Sequence, residues 1–154
     1  MVVVEREREL SVLRSVLDSV GVPGAQTLAV VGVPGIGKSA LLTVVAEWCD
    51  DWLVLGARGT PLGSQVPHGV LVQLFAGLAR SAGREEQPFD GPGRTLRDLV
   101  VNGVVDADAA ALSYSLHWVV ARLAAEKRVL IVVDDLHWVD TVSLTILGNA
   151  MGLL

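Results

Sequence analysis

Apolar residues recur along the chain in two rhythms, one helical and one of short unbroken bursts. Leu10, Leu13, Val16, Leu17 and Val20 fall three and four apart, which predicts an amphipathic first helix closed by Gly21-Val-Pro-Gly24. The same spacing returns in Ala40, Leu41, Val44, Val45 and Trp48, and again in Val70, Leu71, Leu74, Phe75 and Leu78, a helix running from Gly69 to a stop at Gly83. A longer helix opens at Asp106 or Asp108, buries Leu112, Leu116, Val119 and Leu123, and runs to Lys127. Two short ones follow the capping rules: Thr95 begins a helix that ends at Gly103, and Asp140 caps a helix from Val142 to about Met151. The bursts are Thr27 to Val31, Trp52 to Gly56 and Val129 to Val133. Each is a continuous apolar run, which predicts strands buried on both faces. Strands separated by helices predict an α/β domain with a mainly parallel sheet. The stretch Gly56 to Pro67, with three Gly and two Pro, predicts a loop, and residues 84–94, with Pro88, Gly91, Pro92 and Gly93, a surface loop.

Composition removes several function classes. A length of 154 residues fits at most one domain, and 51% apolar with 19% charged residues excludes a disordered chain. The densest apolar run, Val129 to Val133, is bounded by Arg128 and Asp134, far short of the roughly 18–20 residues of a membrane span. Glu5, Arg6, Glu7, Arg8 and Glu9 follow three valines, so the start offers no export signal and a cytoplasmic location is expected. A net charge of −5 argues against coating nucleic acid, and no basic-aromatic interleaving marks a nucleic-acid site. The lone Cys49 rules out an internal disulfide and reads as a small buried hydrophobe.

Two motifs carry chemistry. Gly32, Val33, Pro34, Gly35, Ile36, Gly37, Lys38 and Ser39 fit G-x-x-x-x-G-K-[ST], and Ala40 opens the helix that follows. The glycines let successive N–H groups face a polyphosphate, Lys38 reaches the terminal phosphates, and the Ser39 hydroxyl suits Mg²⁺. The second motif, Val129-Leu-Ile-Val-Val-Asp-Asp-Leu-His-Trp138, ends an apolar strand in acids. It delivers them to the carboxyl edge of the sheet, where open α/β sheets bind ligands. Asp134 then suits Mg²⁺ held through water. Asp135 either orients or deprotonates the attacking water, as the catalytic carboxylate, or serves as a loop or cap acid.

With Glu5-Arg-Glu-Arg-Glu-Leu10, Gly56-Ala-Arg-Gly-Thr-Pro-Leu62, Val66-Pro-His-Gly-Val70 and Asp140, these motifs resemble the AAA-type, STAND-class P-loop ATPase domain of large LuxR-type bacterial transcriptional regulators. The resemblance implies a three-layer αβα P-loop NTPase, of which residues 1–154 are the N-terminal portion. It places Arg6 near the adenine of ATP. It also implies a switch driven by ATP binding and slow hydrolysis, with downstream domains including a DNA-binding helix-turn-helix. A strand expected between the phosphate-loop strand and the acid strand is not found before Leu154. The sheet is therefore expected to be incomplete, with the first and third strands paired directly or leaving a gap, or else completed by a partner chain in that slot, and hydrolysis by this chain alone weak or nil. The alternatives are a non-catalytic interaction or self-association domain and a small-molecule kinase.

The remaining candidates read plainly. His68, His117 and His137 lack metal-ligand spacing with Cys49 or one another. Arg58 reads as a solvated loop residue or a sensor of nucleotide or partner. Trp118 and Trp138 read as packing residues or as contacts to further parts of the protein.

Overall fold

The helical stripes fold as their spacing predicts, and the computed structural model describes them over residues 6–20, 26–82, 87–103 and 106–152. The expected helix stops at Gly21-Val-Pro-Gly24 and Gly83, and residues 84–86 of the expected loop, lie outside the described residues. The chain divides into two compact units, Met1–Asp50 and Asp51–Leu154.

The first unit carries α1 (Glu7–Ser19) and α2 (Lys38–Trp48). Leu13 is the fully buried member of the α1 stripe, with Leu10, Val16 and Leu17 half-buried beside it. In α2 the stripe buries Leu41, Val44 and Val45, and Cys49 just beyond it is buried as expected. The guanidinium of Arg14 lies over the Trp48 ring at 5.3 Å, a cation–π contact between the two helices. The strand expected at Thr27 to Val31 does not form: these residues have no regular structure, and Leu28 and Val31 are exposed. An apolar run becomes a strand only when a neighbour completes its ladder, and the sheet among the described residues holds two other strands.

Those strands belong to the second unit: β1 (Leu53–Arg58) and β2 (Val129–Asp134), parallel and paired from Leu53↔Val129 to Arg58↔Asp134. β1 therefore runs on through Gly56 to Arg58, two residues past its expected end. The expectation of burial on both faces also needs correction. Leu53, Leu55 and Ala57 with Val129, Ile131 and Val133 form or flank the helical core, while Val54, Gly56 and Arg58 are exposed. Burial alternates along β1, as a period of two requires, whereas every residue of β2 is half-buried.

The core against that face comes from α3 (Gly69–Ser81), α4 (Arg94–Asn102), α5 (Ala109–Glu126) and α6 (Thr141–Met151). The side chains of Asp108 and Asp140 cap α5 and α6, accepting from the N–H groups of Ala111 and Ser143 at 2.8 Å each. Thr95 is not a cap: α4 follows directly on a 3₁₀ turn at Gly91–Gly93, which places Thr95 inside the helix. Nor is the described part of 84–94 simply a surface loop. Phe89 is 0% exposed and belongs to the core, and Gly93 packs beside Val119 and Trp118. Arg122 holds this segment to α5 through Asp90 at 3.1 Å and stacks over Trp118. An aromatic side chain that large is buried even from a turn-rich sequence, because leaving it in water forfeits its hydrophobic gain. The architecture is α/β with parallel pairing. Among the described residues no helix is long and apolar enough to cross a membrane.

Candidate functional site

The phosphate-loop residues make a turn whose shape is set locally. Gly35 and Gly37 have φ of +80° and +89°, a region nearly closed to residues with a Cβ. Between them the Ile36 N–H reaches the Val33 carbonyl at 3.4 Å. Lys38 folds back over the loop and donates to the carbonyls of Gly32 at 2.8 Å and Val33 at 3.0 Å. That uses two of the three donors of an ammonium. Arg6, at the start of α1, donates to the carbonyl of Ile36 and pairs with Glu9 at 3.0 Å. The residue expected near the adenine is thus attached to the loop itself.

Gly37 is also the N-cap of α2 and brings no side-chain oxygen to it. The first-turn N–H groups of a helix have no intrahelical acceptors, and together with the helix dipole they favour an anion. Lys38, Ser39 and Ala40 make up that first turn, and Ser39 is exposed. A loop of exposed glycines, a helix N-terminus without a side-chain cap and an adjoining ammonium form a cradle suited to phosphate.

The acids of the second unit stand at the carboxyl end of β2. Asp134 is the last strand residue, on the face away from the helical core, and its carbonyl extends the ladder by accepting from Gly59 N–H at 2.9 Å. Its Oδ1 accepts from the Asp135 N–H at 2.9 Å. Asp135 has φ +52°, which turns the chain sharply into the 3₁₀ turn Leu136–Trp138.

Arg58, register partner of Asp134, closes on both acids. Its Nε and Nη2 each lie 2.8 Å from Asp135 Oδ2, and Nε lies 3.8 Å from Asp134 Oδ2. The hydrogen bond to Asp135, then the charge of Asp135, then that of Asp134 raise the Arg58 pKa above its ordinary value. The solvated-loop reading of Arg58 is therefore incomplete: the side chain is 63% exposed yet engaged. A signal was present in the sequence, since Leu53-Val-Leu-Gly-Ala-Arg58 and Val129-Leu-Ile-Val-Val-Asp134 are equal runs ending in opposite charges.

The other candidates lie apart from this pair or play lesser parts. His137 is exposed and tilts against Trp138, itself 40% exposed, so Trp138 is not a core residue. Trp118 packs beneath Gly91 and Gly93. Among the described residues no group of three His, Cys, Asp or Glu gathers as a metal site. The Ser39 hydroxyl in the first unit and the Asp134 carboxylate in the second are each an oxygen donor of the kind Mg²⁺ takes, an ion that needs few protein ligands and fills its shell with water and phosphate.

No curated protein and no solved structure matches the chain. A family model does, over residues 2–154, and by that match the chain belongs to the AAA ATPase domain family, a family of nucleotide-binding modules.

Proposed function

We propose that residues 1–154 are the N-terminal portion of a Mg-ATP-binding switch, similar to the ATPase domain of LuxR-type, STAND-class transcriptional regulators, acting in the cytoplasm. In this reading the backbone from Gly32 to Ala40 holds the phosphates through its N–H groups, which Pro34 alone lacks, Lys38 neutralises them, and Arg6 adjoins the adenine. Ser39 and Asp134 supply oxygen to Mg²⁺, which when bound offsets phosphate charge. Asp135 orients the attacking water. The observation that carries the proposal is the phosphate-loop geometry: two left-handed glycines, Lys38 folded over the turn and α2 opening without a side-chain cap. Weak or absent hydrolysis by this chain accords with Asp135 being engaged by Arg58, since a carboxylate oxygen that already accepts from a guanidinium is less available to water.

The same engagement favours the second reading, a module that binds or associates without turnover. Titration of labelled ATP against the chain and its Lys38→Ala variant tests the first. The substitution is expected to weaken binding about 100-fold, or about 2.7 kcal/mol. Equal affinity in both proteins would rule the reading out. Mg²⁺-dependent phosphate release abolished by Asp135→Asn would count against the second.

A further inference from the structure

Two loops leave the carboxyl ends of the strands, residues 59–68 after β1 and 135–140 after β2, and they are fastened to each other at both ends. At the near end Gly59 donates to the Asp134 carbonyl. It lies so close to the second loop that a Cβ there would stand 2.4 Å from the Asp135 carbonyl oxygen and 2.8 Å from the Trp138 carbonyl carbon. At the far end stands Asp140, 3% exposed. Its Oδ1 accepts from the N–H of Ser143 at 2.8 Å and from that of His68 at 3.0 Å. His68 is the N-cap residue of α3, at φ +64°.

One carboxylate oxygen thus serves the N-termini of two helices, where both dipoles favour negative charge. Capping α6 requires only the bond to Ser143. The bond to His68, across 72 positions of sequence, does something else: it ties the end of the acid loop to the head of α3. Between the two fastenings the loop has short-range bonds of its own, from Asp135 N–H to Asp134 Oδ1, Trp138 N–H to the Asp135 carbonyl and Val139 N–H to the Leu136 carbonyl. It also holds Asp135 in a left-handed conformation, which a residue with a side chain keeps only where its surroundings impose it.

We infer that Asp140 is a positioning residue: by latching residues 135–140 to His68 it keeps Asp135 in its left-handed turn beside Arg58. The value of that placement for catalysis rests on the role given to Asp135 above, whereas the latch itself does not.

Two substitutions separate latch from cap. Asp140→Ser retains a good N-cap for α6, but its shorter side chain does not span to His68. Asp140→Asn keeps the Oδ1 acceptor for both bonds. Oδ2 has no hydrogen-bond partner among the described residues, so an amide in its place displaces none.

Amide hydrogen exchange of the 154-residue chain without nucleotide, followed by NMR, gives the readout. In Asp140→Ser the N–H groups of Asp135, Trp138 and Val139 are expected to exchange about tenfold faster or more, with Ser143 and the β1–β2 ladder unchanged. Asp140→Asn is expected to restore protection to within about twofold of the parent. Acceleration confined to His68 would overturn the inference, as would an asparagine variant as loose as the serine one, or a serine variant that unfolds as a whole. Because no nucleotide is present, this outcome is independent of the ATP titration, so failure of either reading leaves the other interpretable.

Discussion

The phosphate loop and the acid pair are held in shape by opposite means. Residues 32–39 make their turn mainly from within, through two left-handed glycines and a lysine that bonds to carbonyls five and six residues back, with Arg6 adding a tie from the start of α1. Asp134 and Asp135 are placed from outside: by the register with β1, by Arg58 77 positions away from Asp135, and by Gly59 pressed against the loop backbone. A turn built from within is written in consecutive residues. A turn built from outside depends on a core assembled from distant ones, and the two should fail differently when disturbed.

The largest effect is expected from Phe89→Ala. Phe89 is fully buried in the core on which β1 and β2 rest, and removing an aromatic side chain from such a site costs about 3–5 kcal/mol. Chemical denaturation should show that loss, with the Arg58–Asp135 contact weakening as the sheet loosens. The hydrogen bonds from Lys38 to Gly32 and Val33 are made within the first unit and are expected to persist in NMR spectra of the folded fraction. Their loss at the same denaturant concentration as the β1–β2 ladder would end the contrast between the two regions.

Two glycines sharpen it. Gly59→Ala would place a Cβ 2.4 Å from the Asp135 carbonyl oxygen, a backbone collision that must displace the acid loop. Overpacking of this kind costs about 1–3 kcal/mol, and the upper part of that range is expected because the obstructing atoms are backbone. Gly37→Ala meets nothing within 4 Å; its cost is torsional, about 1–2 kcal/mol for a Cβ in the left-handed region. Thermal unfolding should therefore rank Gly59→Ala as the more destabilising. Backbone chemical shifts should move at residues 135–139 for Gly59→Ala and at residues 33–38 for Gly37→Ala. A reversed ranking would mean that the acid loop yields easily and is not held from outside.

The same contrast explains what the sequence made legible. The phosphate loop could be read because glycine spacing, lysine and the following helix are consecutive, and the helical stripes because a spacing of three and four is also local. Asp108 and Asp140 were readable as caps for that reason. The second bond of Asp140, to His68, was not, since nothing near residue 140 names residue 68 as its neighbour. The end of β1 was missed because Gly56 signals a loop until pairing with β2 overrides it. Thr27 to Val31 erred in the other direction: its composition suits a strand, but a strand is a relation between two segments and not a property of one. Phe89 lay in a turn-rich stretch whose glycines and prolines concealed its burial.

The smallest effect on stability is expected at Arg58. Its side chain is 63% exposed, and exposed ion pairs add little to folding because water and salt screen them. Arg58→Gln should leave the unfolding midpoint close to that of the parent. The pH dependence follows from the sign of the shift. The pKa of Arg58 is raised by Asp135 and Asp134, so whatever the pair contributes is present below the ordinary guanidinium value and is lost only as pH rises through the raised one. From about pH 6 to about pH 9 the arginine stays charged, and its contact with Asp135 should not titrate from that side. The Nε–H proton of Arg58, bonded to Asp135 at 2.8 Å, is the direct probe. It should exchange slowly in the parent and quickly in Asp135→Gly, which suits the left-handed turn but has no acceptor side chain, with global stability nearly equal in the two. Exchange equally fast in both would show that the acid end is not held by Arg58, leaving register and the Gly59 contact as its outside supports.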